Sequence, residues 1–176
     1  MKLLIVVDMQ NDFIDGALGT AEAVAIVDNV TAKIRAARAE GTEVWFTRDT
    51  HEENYLETQE GRNLPVKHCI RGTFGWEISS KLDVDGSMII DKPTFGSMEL
   101  AERAASLENL ESAELIGLCT DICVISNAML LKARLPELSV KVDARCCAGV
   151  TPESHSAALK TMSMCQIRII GEDNDH

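Results

Sequence analysis

Short apolar segments alternate along this chain with longer segments of helical pattern, and this alternation restricts the possible folds more than any other feature. Helices are expected at residues 21–40, 97–107, 121–134 and 152–164. Strands are expected at residues 2–8, 43–48, 87–91, 113–118, 139–142 and 166–170. Alternating strands and helices are typical of a parallel sheet with helices on both faces. The sequence therefore predicts an α/β protein with three α/β/α layers and a six-stranded, mostly parallel sheet.

Length, composition and charge indicate a single globular domain over residues 1–176, of which 45% are hydrophobic. The net charge of -11 argues against nucleic acid and anionic membranes as partners, because both require a basic surface. No apolar run approaches the roughly 20 residues of a membrane span, and the first run is too short for a signal peptide. Six cysteines without a regular framework indicate reduced thiols, so we expect a cytoplasmic protein.

An acid, a lysine and a thiol each follow a predicted strand, at Asp8, Lys92 and Cys123. The carboxyl ends of parallel strands share one edge of the sheet, and ligands bind at that edge in open α/β folds. A carboxylate, an ammonium group and a thiol are the parts of a cysteine nucleophile with its base and a cationic neighbour. Cys123 is expected in the first turn of a helix, where free N–H groups and the helix dipole lower the pKa of a thiol.

Each of these residues also has a less specific explanation. Cys123 could be a buried, inert thiol, and Lys92 could be a solvated loop residue. Asp8 could cap a loop, bind a metal or act as a phosphotransfer nucleophile, although Gln10 stands where haloacid-dehalogenase-type enzymes need a second aspartate. No glycine-rich dinucleotide fingerprint follows the first strand. The presence of all three residue types at one predicted edge favours catalysis.

A long polar segment, residues 49–78, has no clean periodicity, and long loops of this kind in compact domains are usually functional or disordered. It contains Asp49 and His51 directly after a strand, and His68 further on. A carboxylate and two imidazoles suit zinc, manganese or iron. Loop histidines are also commonly solvated, so the pattern alone leaves both interpretations open.

Two motifs resemble those of the isochorismatase-like cysteine hydrolases. Residues 7–13, Val-Asp-Met-Gln-Asn-Asp-Phe, resemble the opening motif, and residues 118–124, Leu-Cys-Thr-Asp-Ile-Cys-Val, resemble the nucleophile turn. Lys92 falls where this family carries its catalytic lysine. The resemblance covers nearly the whole chain and implies a Rossmann-like isochorismatase-type fold, a homo-oligomer and hydrolysis of a small amide.

The resemblance also implies roles for the three residues. Asp8 takes the thiol proton, Lys92 holds the thiolate and the carboxylate together, and Cys123 attacks a carbonyl to form a thioester. The backbone N–H groups of Cys119 and Cys123 would meet the oxyanion, because the family places a non-proline cis peptide four residues before its nucleophile. The presence of Cys123 argues against true isochorismatase activity, since that branch hydrolyses a vinyl ether and typically lacks the thiol.

One branch of the family, the nicotinamidases, carries an Asp-x-His pair and a later His-Cys-Val-x-Gly-Thr motif, which residues 68–73, His-Cys-Ile-Arg-Gly-Thr, resemble. This likeness implies a divalent metal ion, with zinc expected and manganese or iron as alternatives. In that branch the metal binds the pyridine nitrogen of nicotinamide. The implied ligands are Asp49, His51 and His68, with Glu60 or Glu57 as a further ligand.

The same comparison of motifs predicts the walls of the substrate pocket. Phe13 is retained as an aromatic wall, but Leu64 falls in the stretch where the nicotinamidases place a stacking tryptophan. Trp76 lies nearby in the sequence and is the candidate replacement.

Three functions remain at this stage. The first is a metal-dependent nicotinamidase, and the second is a related hydrolase of another small amide or carbamoyl compound. The third is a non-catalytic metal or thiol redox module, which is disfavoured because a sensor needs neither Asp8 nor Lys92.

Overall fold

The centre of the protein is a six-stranded sheet in which every pairing is parallel. The structure, a computed structural model, describes residues 1–172; residues 173–176 of the predicted domain lie outside the described residues. The strands lie in the order β3-β2-β1-β4-β5-β6. They are β1 (Lys2–Val7), β2 (Glu43–Asp49), β3 (Met88–Lys92), β4 (Ser112–Leu118), β5 (Ser139–Ala148) and β6 (Arg168–Ile170).

Helices cover both faces of the sheet, which confirms the predicted three-layer α/β/α fold. They are α1 (Asn11–Ile14), α2 (Ala21–Ala39), α3 (Gln59–Asn63), α4 (Met98–Ala105), α5 (Ile125–Arg134) and α6 (Pro152–Met164). The buried hydrophobic residues form two clusters. The buried side of α2 belongs to one cluster, and α4, α5 and α6 contribute to the other. Strand β1 supplies alternate side chains to the two clusters, which explains why it has a continuous apolar sequence.

Local signals begin the helices where the sequence predicts. The Thr20 side chain accepts from Ala23 N–H at the start of α2. Thr151 caps α6 with Ser154 in a reciprocal capping box, and Pro152 occupies the first turn. Such side-chain caps satisfy N–H groups that have no partner within the helix. No helix among residues 1–172 is long and apolar enough to cross a membrane.

Two of the predicted elements differ from the structure by more than two residues at one end. Strand β5 continues past the predicted end at residue 142 to Ala148. The continuation carries the buried charge of Asp143, which Lys33 on α2 neutralises at 2.6 Å. The helix predicted at 121–134 is divided, because residues Thr120–Val124 form a π-helical turn before α5 begins.

The long segment 49–78 folds over the carboxyl edge of the sheet. It contains α3 and two short 3-10 helices, Tyr55–Glu57 and Phe74–Trp76. Isolated β-bridges join His51 to Ile70 and Gln10 to Ile78. Because β3, β2, β1 and β4 are consecutive in the sheet, their carboxyl ends bring four chain segments together beneath this loop.

Candidate active site

The structure brings together the three side chains that the sequence analysis selected for catalysis. Asp8 directly follows β1, Lys92 ends β3, and Cys123 lies in the turn after β4. The Nζ atom of Lys92 lies 2.6 Å from Asp8 Oδ2 and 3.4 Å from Cys123 Sγ. The three residues are 0%, 1% and 4% exposed, in the order Asp8, Lys92, Cys123. A thiol, a carboxylate and an ammonium group therefore share one desolvated volume.

Thr47, a residue that the sequence analysis missed, holds Asp8 in position. Its hydroxyl donates to Asp8 Oδ1 at 2.6 Å, and its carbonyl oxygen accepts from the Asp8 N–H at 3.2 Å. Oδ1 is thus occupied, and Oδ2 is the oxygen that faces Lys92. The available signal was a single hydroxyl in the apolar run of β2, where both faces of the strand are buried.

Lys92 remains charged in this setting. Burial alone would lower its pKa, but the negative charge of Asp8 and the Cys123 and Asp49 groups raise it well above the usual range. The ammonium group also donates to the carbonyl oxygen of Thr94 at 3.1 Å. Its donors are therefore directed at a carboxylate, a sulfur and a carbonyl.

The expected lowering of the thiol pKa is wrong for Cys123. Burial raises the pKa of this thiol well above its usual value, and the Asp8 carboxylate raises it further, while Lys92 acts in the opposite direction. Desolvation of the nearly inaccessible sulfur outweighs the effect of the helix turn. Burial raises the pKa of Asp8 as well, against the influence of Lys92. The thiol is therefore protonated at rest, and a proton moved to Asp8 leaves the net charge of the group unchanged.

The turn that carries Cys123 is tightly built. The carbonyl oxygen of Cys119 accepts from the N–H groups of Ile122 and Val124, both at 3.1 Å. The Leu118–Cys119 peptide is cis, at the position that the family resemblance implies. Just before it, Gly117 has φ +114°, and a Cβ at that position would overlap the Val7 carbonyl. Only glycine permits this close approach of β4 to β1.

Asn127, which the sequence analysis also missed, anchors the nucleophile turn from α5. Its Nδ2 atom donates to the carbonyl oxygens of Cys123 at 2.8 Å and Phe95 at 3.2 Å. Its Oδ1 atom accepts from Ser97 N–H at 2.9 Å. A fully buried amide with these contacts fixes the nucleophile turn relative to the loop after β3. An amide four residues after the thiol, on the inner face of a predicted helix, was the available signal.

The four metal-ligand candidates Asp49, His51, Glu60 and His68 converge, with one ligand atom from each lying within 4.8 Å of the others. His51 Nε2 lies 3.0 Å from Asp49 Oδ2 and 3.4 Å from Glu60 Oε1. His68 Nε2 lies 3.5 Å and 3.9 Å from the same two oxygens. The structure does not bring Glu57 into this group; its side chain is exposed on the neighbouring 3-10 helix.

The electrostatics of this group favour a cation. Burial alone would raise the pKa of Asp49, but hydrogen bonds from His51 and His68 hold it well below the usual range. Burial opposes the charged form of His51, yet Asp49 and Glu60 raise its pKa to about 9. The two carboxylates thus draw a proton onto His51, and a metal ion bound here would take the place of that positive charge.

The donor chemistry also fits a divalent metal ion. His68 Nδ1 lies 2.8 Å from the carbonyl oxygen of Val66. A carbonyl only accepts, so Nδ1 carries a proton, and Nε2 is the nitrogen that faces the group and that a metal ion would bind. Asp49 Oδ1 is buried and makes no hydrogen bond within the described part of the chain. Two imidazole nitrogens and two carboxylate oxygens match the preferences of zinc, manganese and iron.

A small cavity of about 50 Å³ separates the thiol from the metal-ligand group. This volume is several times the roughly 10–15 Å³ that a single water needs. It is lined by Phe13, Leu18, Asp49, Glu60, Leu64, His68, Phe95, Cys119, Ile122 and Cys123. Two of the three predicted pocket residues, Phe13 and Leu64, are therefore present, and Leu18, Phe95 and Ile122 complete the apolar walls.

The structure does not bring the third predicted pocket residue, Trp76, into this cavity. Its indole Nε1 donates to Thr50 Oγ1 at 2.9 Å, and the guanidinium group of Arg48 lies 3.7 Å from its ring centroid. These contacts hold the ring outside the cavity lining. Sequence proximity suggested Trp76, whereas Phe95, which follows Lys92 at the same edge, supplies the additional aromatic wall.

This arrangement can perform one kind of chemistry readily. A buried thiol with an adjacent base and a fixed ammonium group can attack an electrophilic carbon. The carbon must belong to a compact ligand, because the cavity is small and apolar on most sides. Polar groups of the ligand would lie against the polar wall of the cavity, which is formed by Asp49, Glu60 and His68.

Comparison with known proteins gives matches over nearly the whole chain. The family model described as isochorismatase domain matches residues 2–173. The nicotinamidase/pyrazinamidase of Mycobacterium tuberculosis (strain ATCC 25618 / H37Rv) is 25% identical over an aligned length of 185 residues, gaps included. The alignment covers 97% of this chain and 98% of that protein.

Two solved structures share the architecture. The pyrazinamidase of Pyrococcus horikoshii in complex with zinc has a TM-score of 0.84 and 29% identity, with 96% of this chain and 98% of that chain covered. The pyrazinamidase/nicotinamidase from Streptococcus mutans UA159 has a TM-score of 0.86 and 26% identity, with 97% and 100% covered.

Proposed function

This chain belongs to the isochorismatase family, and on that premise we propose that it is a cysteine-dependent amidohydrolase that converts nicotinamide to nicotinate and ammonia. The observation that carries the proposal is the contact of Lys92 Nζ with both Asp8 Oδ2 and Cys123 Sγ. The amide substrate is supported by the similarity to proteins named nicotinamidase or pyrazinamidase.

In the first step Cys123 attacks the amide carbon of the bound substrate. As the S–C bond forms, Asp8 Oδ2 accepts the thiol proton and the carbonyl electrons move to oxygen. Lys92 stays protonated and compensates the negative charge on sulfur and carboxylate, which lie on either side of its Nζ atom. General-base help of this kind typically contributes about 10²–10⁴ in rate.

The tetrahedral intermediate then loses ammonia. The backbone N–H groups of Cys119 and Cys123 donate to the oxyanion, a form of electrostatic stabilisation that is often worth about 10²–10³ per donor. Asp8 returns its proton to the leaving nitrogen as the C–N bond breaks. The product is an acyl thioester on Cys123 and free ammonia.

Water completes the cycle. Asp8, again ionised, takes a proton from a water molecule that attacks the thioester carbon. The C–S bond breaks, and Cys123 regains a proton through Asp8. The carboxylic acid product releases its own proton to solvent, where ammonia takes it up, and leaves as its anion. The same carboxylate therefore acts as base and acid in turn.

Asp49, His51, Glu60 and His68 would hold the divalent metal ion, with zinc preferred and manganese or iron as alternatives. When bound, the ion supplies a Lewis-acid position for the ring nitrogen of the substrate. Phe13 and Leu64 pack against the ring from the cavity walls. They exclude water and hold the amide carbon towards the thiol.

A second candidate is a hydrolase of another small amide or carbamoyl compound. The observation that favours it is Leu64 in the cavity wall, with Trp76 held away by Arg48 and Thr50. Without a stacking indole, the preference for a flat heteroaromatic ring rests on Phe13 and Phe95 alone.

The experiment is ammonia release by the zinc-loaded protein from nicotinamide, pyrazinamide, benzamide and N-carbamoyl glycine, with Cys123→Ala as the inactive control. Turnover of the first two with little turnover of benzamide, which lacks a ring nitrogen, supports the nicotinamidase. Turnover confined to the carbamoyl compound supports the second candidate. No ammonia from any of the four contradicts the proposed nicotinamidase.

A further inference from the structure

Tyr55, the only tyrosine in the chain, is fully buried against the metal-ligand group and has no part in the chemistry described above. The centroid of its ring lies 4.6 Å from that of His51 and 5.0 Å from that of His68. The ring planes are inclined by 53° and 78°, respectively. A rigid ring that contacts both imidazoles limits the rotation of each about its side-chain bonds.

The hydroxyl of Tyr55 reaches the wall of the cavity. It donates to the carbonyl oxygen of Leu64 at 3.0 Å, and Leu64 lines the same cavity as Cys123. The same carbonyl accepts from Val66 N–H at 2.7 Å, while the carbonyl of Val66 accepts from His68 Nδ1 at 2.8 Å. The segment from Leu64 to His68 is thus fixed at one end by the phenol and at the other by the imidazole.

The backbone of Tyr55 also holds the segment that carries Glu60. The Tyr55 carbonyl accepts from the hydroxyl of Thr58 at 2.7 Å and from its N–H at 3.0 Å. The Thr58 hydroxyl in turn accepts from Gly61 N–H at 3.0 Å, which begins α3 and sets Glu60 in its first turn. A Cβ at Gly61 would overlap the Tyr55 carbonyl, so this close approach requires glycine.

We propose that Tyr55 is the positioning residue that holds His51, His68 and Glu60 around one cation and, through its hydroxyl, holds the Leu64 wall of the substrate cavity. The inference rests on the proposed function, because the cation and the substrate are those assigned above. The hold on Glu60 comes from the main-chain carbonyl of Tyr55, which a substitution at this position leaves in place. The other two duties belong to different atoms of the side chain. The ring serves the metal-ligand group, and the hydroxyl serves the cavity.

Tyr55→Phe separates the two duties, since it keeps the ring and removes only the hydrogen bond to Leu64. The affinity for zinc, measured by competition with a chelator, should remain within about twofold of the wild type. KM for nicotinamide should rise about two- to tenfold, the range expected for one neutral hydrogen bond, with kcat nearly unchanged. If the Tyr55 hydroxyl only stabilised the fold, its removal would not raise KM while leaving kcat unchanged.

Tyr55→Leu removes the ring as well, and the affinity for zinc should fall about 10- to 100-fold, as for other groups that orient metal ligands. Phe74→Leu is the matched control, because Phe74 is 75% exposed and lies outside both the cavity lining and the metal-ligand group. Its zinc affinity and KM should equal those of the wild type.

A third measurement does not depend on a variant that folds. Fluorotyrosine incorporated into the wild-type chain labels Tyr55 alone, because no other tyrosine exists. Zinc binding at the two imidazoles should shift its single fluorine resonance, and the shift should saturate with one equivalent of zinc. Nicotinamide added afterwards should shift it again.

The outcomes separate this inference from the proposed function. A wild type that binds zinc with the fluorine shift but hydrolyses no amide contradicts the proposed function and leaves the ring's duty supported. If the wild-type protein hydrolyses nicotinamide but zinc does not shift its fluorine resonance, the inference about Tyr55 is overturned and the proposed function is not. Unchanged zinc affinity in Tyr55→Leu overturns the duty of the ring, and unchanged KM in Tyr55→Phe overturns that of the hydroxyl.

Discussion

The hydroxyl of Thr47 donates a hydrogen bond of 2.6 Å to Oδ1 of Asp8, and both residues are completely buried. The bond joins adjacent strands β2 and β1 at their carboxyl ends. It occupies one carboxylate oxygen and stabilises the charged form of Asp8. The second oxygen is left for Lys92 and for the proton of the thiol.

Thr47→Val should therefore reduce the fraction of Asp8 that is ionised and able to act as the base, while preserving the shape of the core. Loss of a hydrogen bond to the carboxylate raises its pKa, so the acidic limb of the kcat/KM profile should move to higher pH. Activity near neutral pH should fall about 10- to 100-fold. Thr47→Ser, which keeps the hydroxyl, should restore both. A pH profile for the valine variant that matches the wild type would show that the bond does not act on Asp8.

The raised thiol pKa makes a second prediction, for alkylation of Cys123 by iodoacetamide. The thiol stays protonated up to its usual pKa of 9.0 and beyond, so alkylation in the absence of substrate should be slow near neutral pH and accelerate only in alkaline solution. Lys92→Met removes the cation that stabilises the thiolate and should slow the reaction further. The comparison is best made with Cys165→Ser as background, because Cys165 is exposed. Rapid labelling of Cys123 at neutral pH would contradict the assigned protonation.

Removal of the metal ion should impair the substrate site more than the fold. Glu60→Gln should lower the affinity for zinc and raise KM for nicotinamide, because Glu60 belongs to the ligand group. Glu57→Gln is the matched control, since its side chain lies outside that group and should change neither quantity. Chelated wild-type protein should keep its circular dichroism spectrum and its slow alkylation of Cys123. Equal effects of the two substitutions would refute the assignment of Glu60.

Stability should depend on pH through His155, whose Nδ1 lies 2.7 Å from Thr120 Oγ1 in the nucleophile turn. Burial lowers the pKa of this half-buried imidazole below its usual 6.5, although Asp121 acts in the other direction. The unfolded chain takes up the proton first as pH falls, so the free energy of unfolding should decrease below about pH 6.5. His155→Gln should flatten this dependence in urea unfolding measured at several pH values. An equal slope in both proteins would exclude His155 as its source.

Much of the fold follows from local patterns in the sequence. Strand β1 is apolar from Leu3 to Val7 because both faces of the sheet are covered there, and this made it recognisable. Helix α6 was recognisable from Thr151 and Pro152 at its start, and Gly41 marked the end of α2. The parallel arrangement then predicts that Asp8 and Lys92 share an edge.

The remainder depends on contacts that no local pattern contains. Strand β5 continues through Asp143, whose buried charge is neutralised by Lys33 on a distant helix. The sequence predicts a lowered pKa for Cys123 from the helix turn in which the residue lies. Burial by other elements raises the pKa instead, and no local pattern contains that effect. Glu60 and Glu57 were equivalent in sequence, and the Thr58 cap on α3 distinguishes them.

The most direct test of the account is to find the acyl group on the enzyme. Wild-type protein mixed with excess nicotinamide and quenched in acid within its first turnovers should carry a nicotinoyl thioester on the peptide containing Cys123, detected by mass spectrometry. Cys123→Ala should carry no adduct and release no ammonia. Ammonia release by Cys123→Ala at a rate near that of the wild type, or an adduct on any other residue, would contradict the cysteine mechanism.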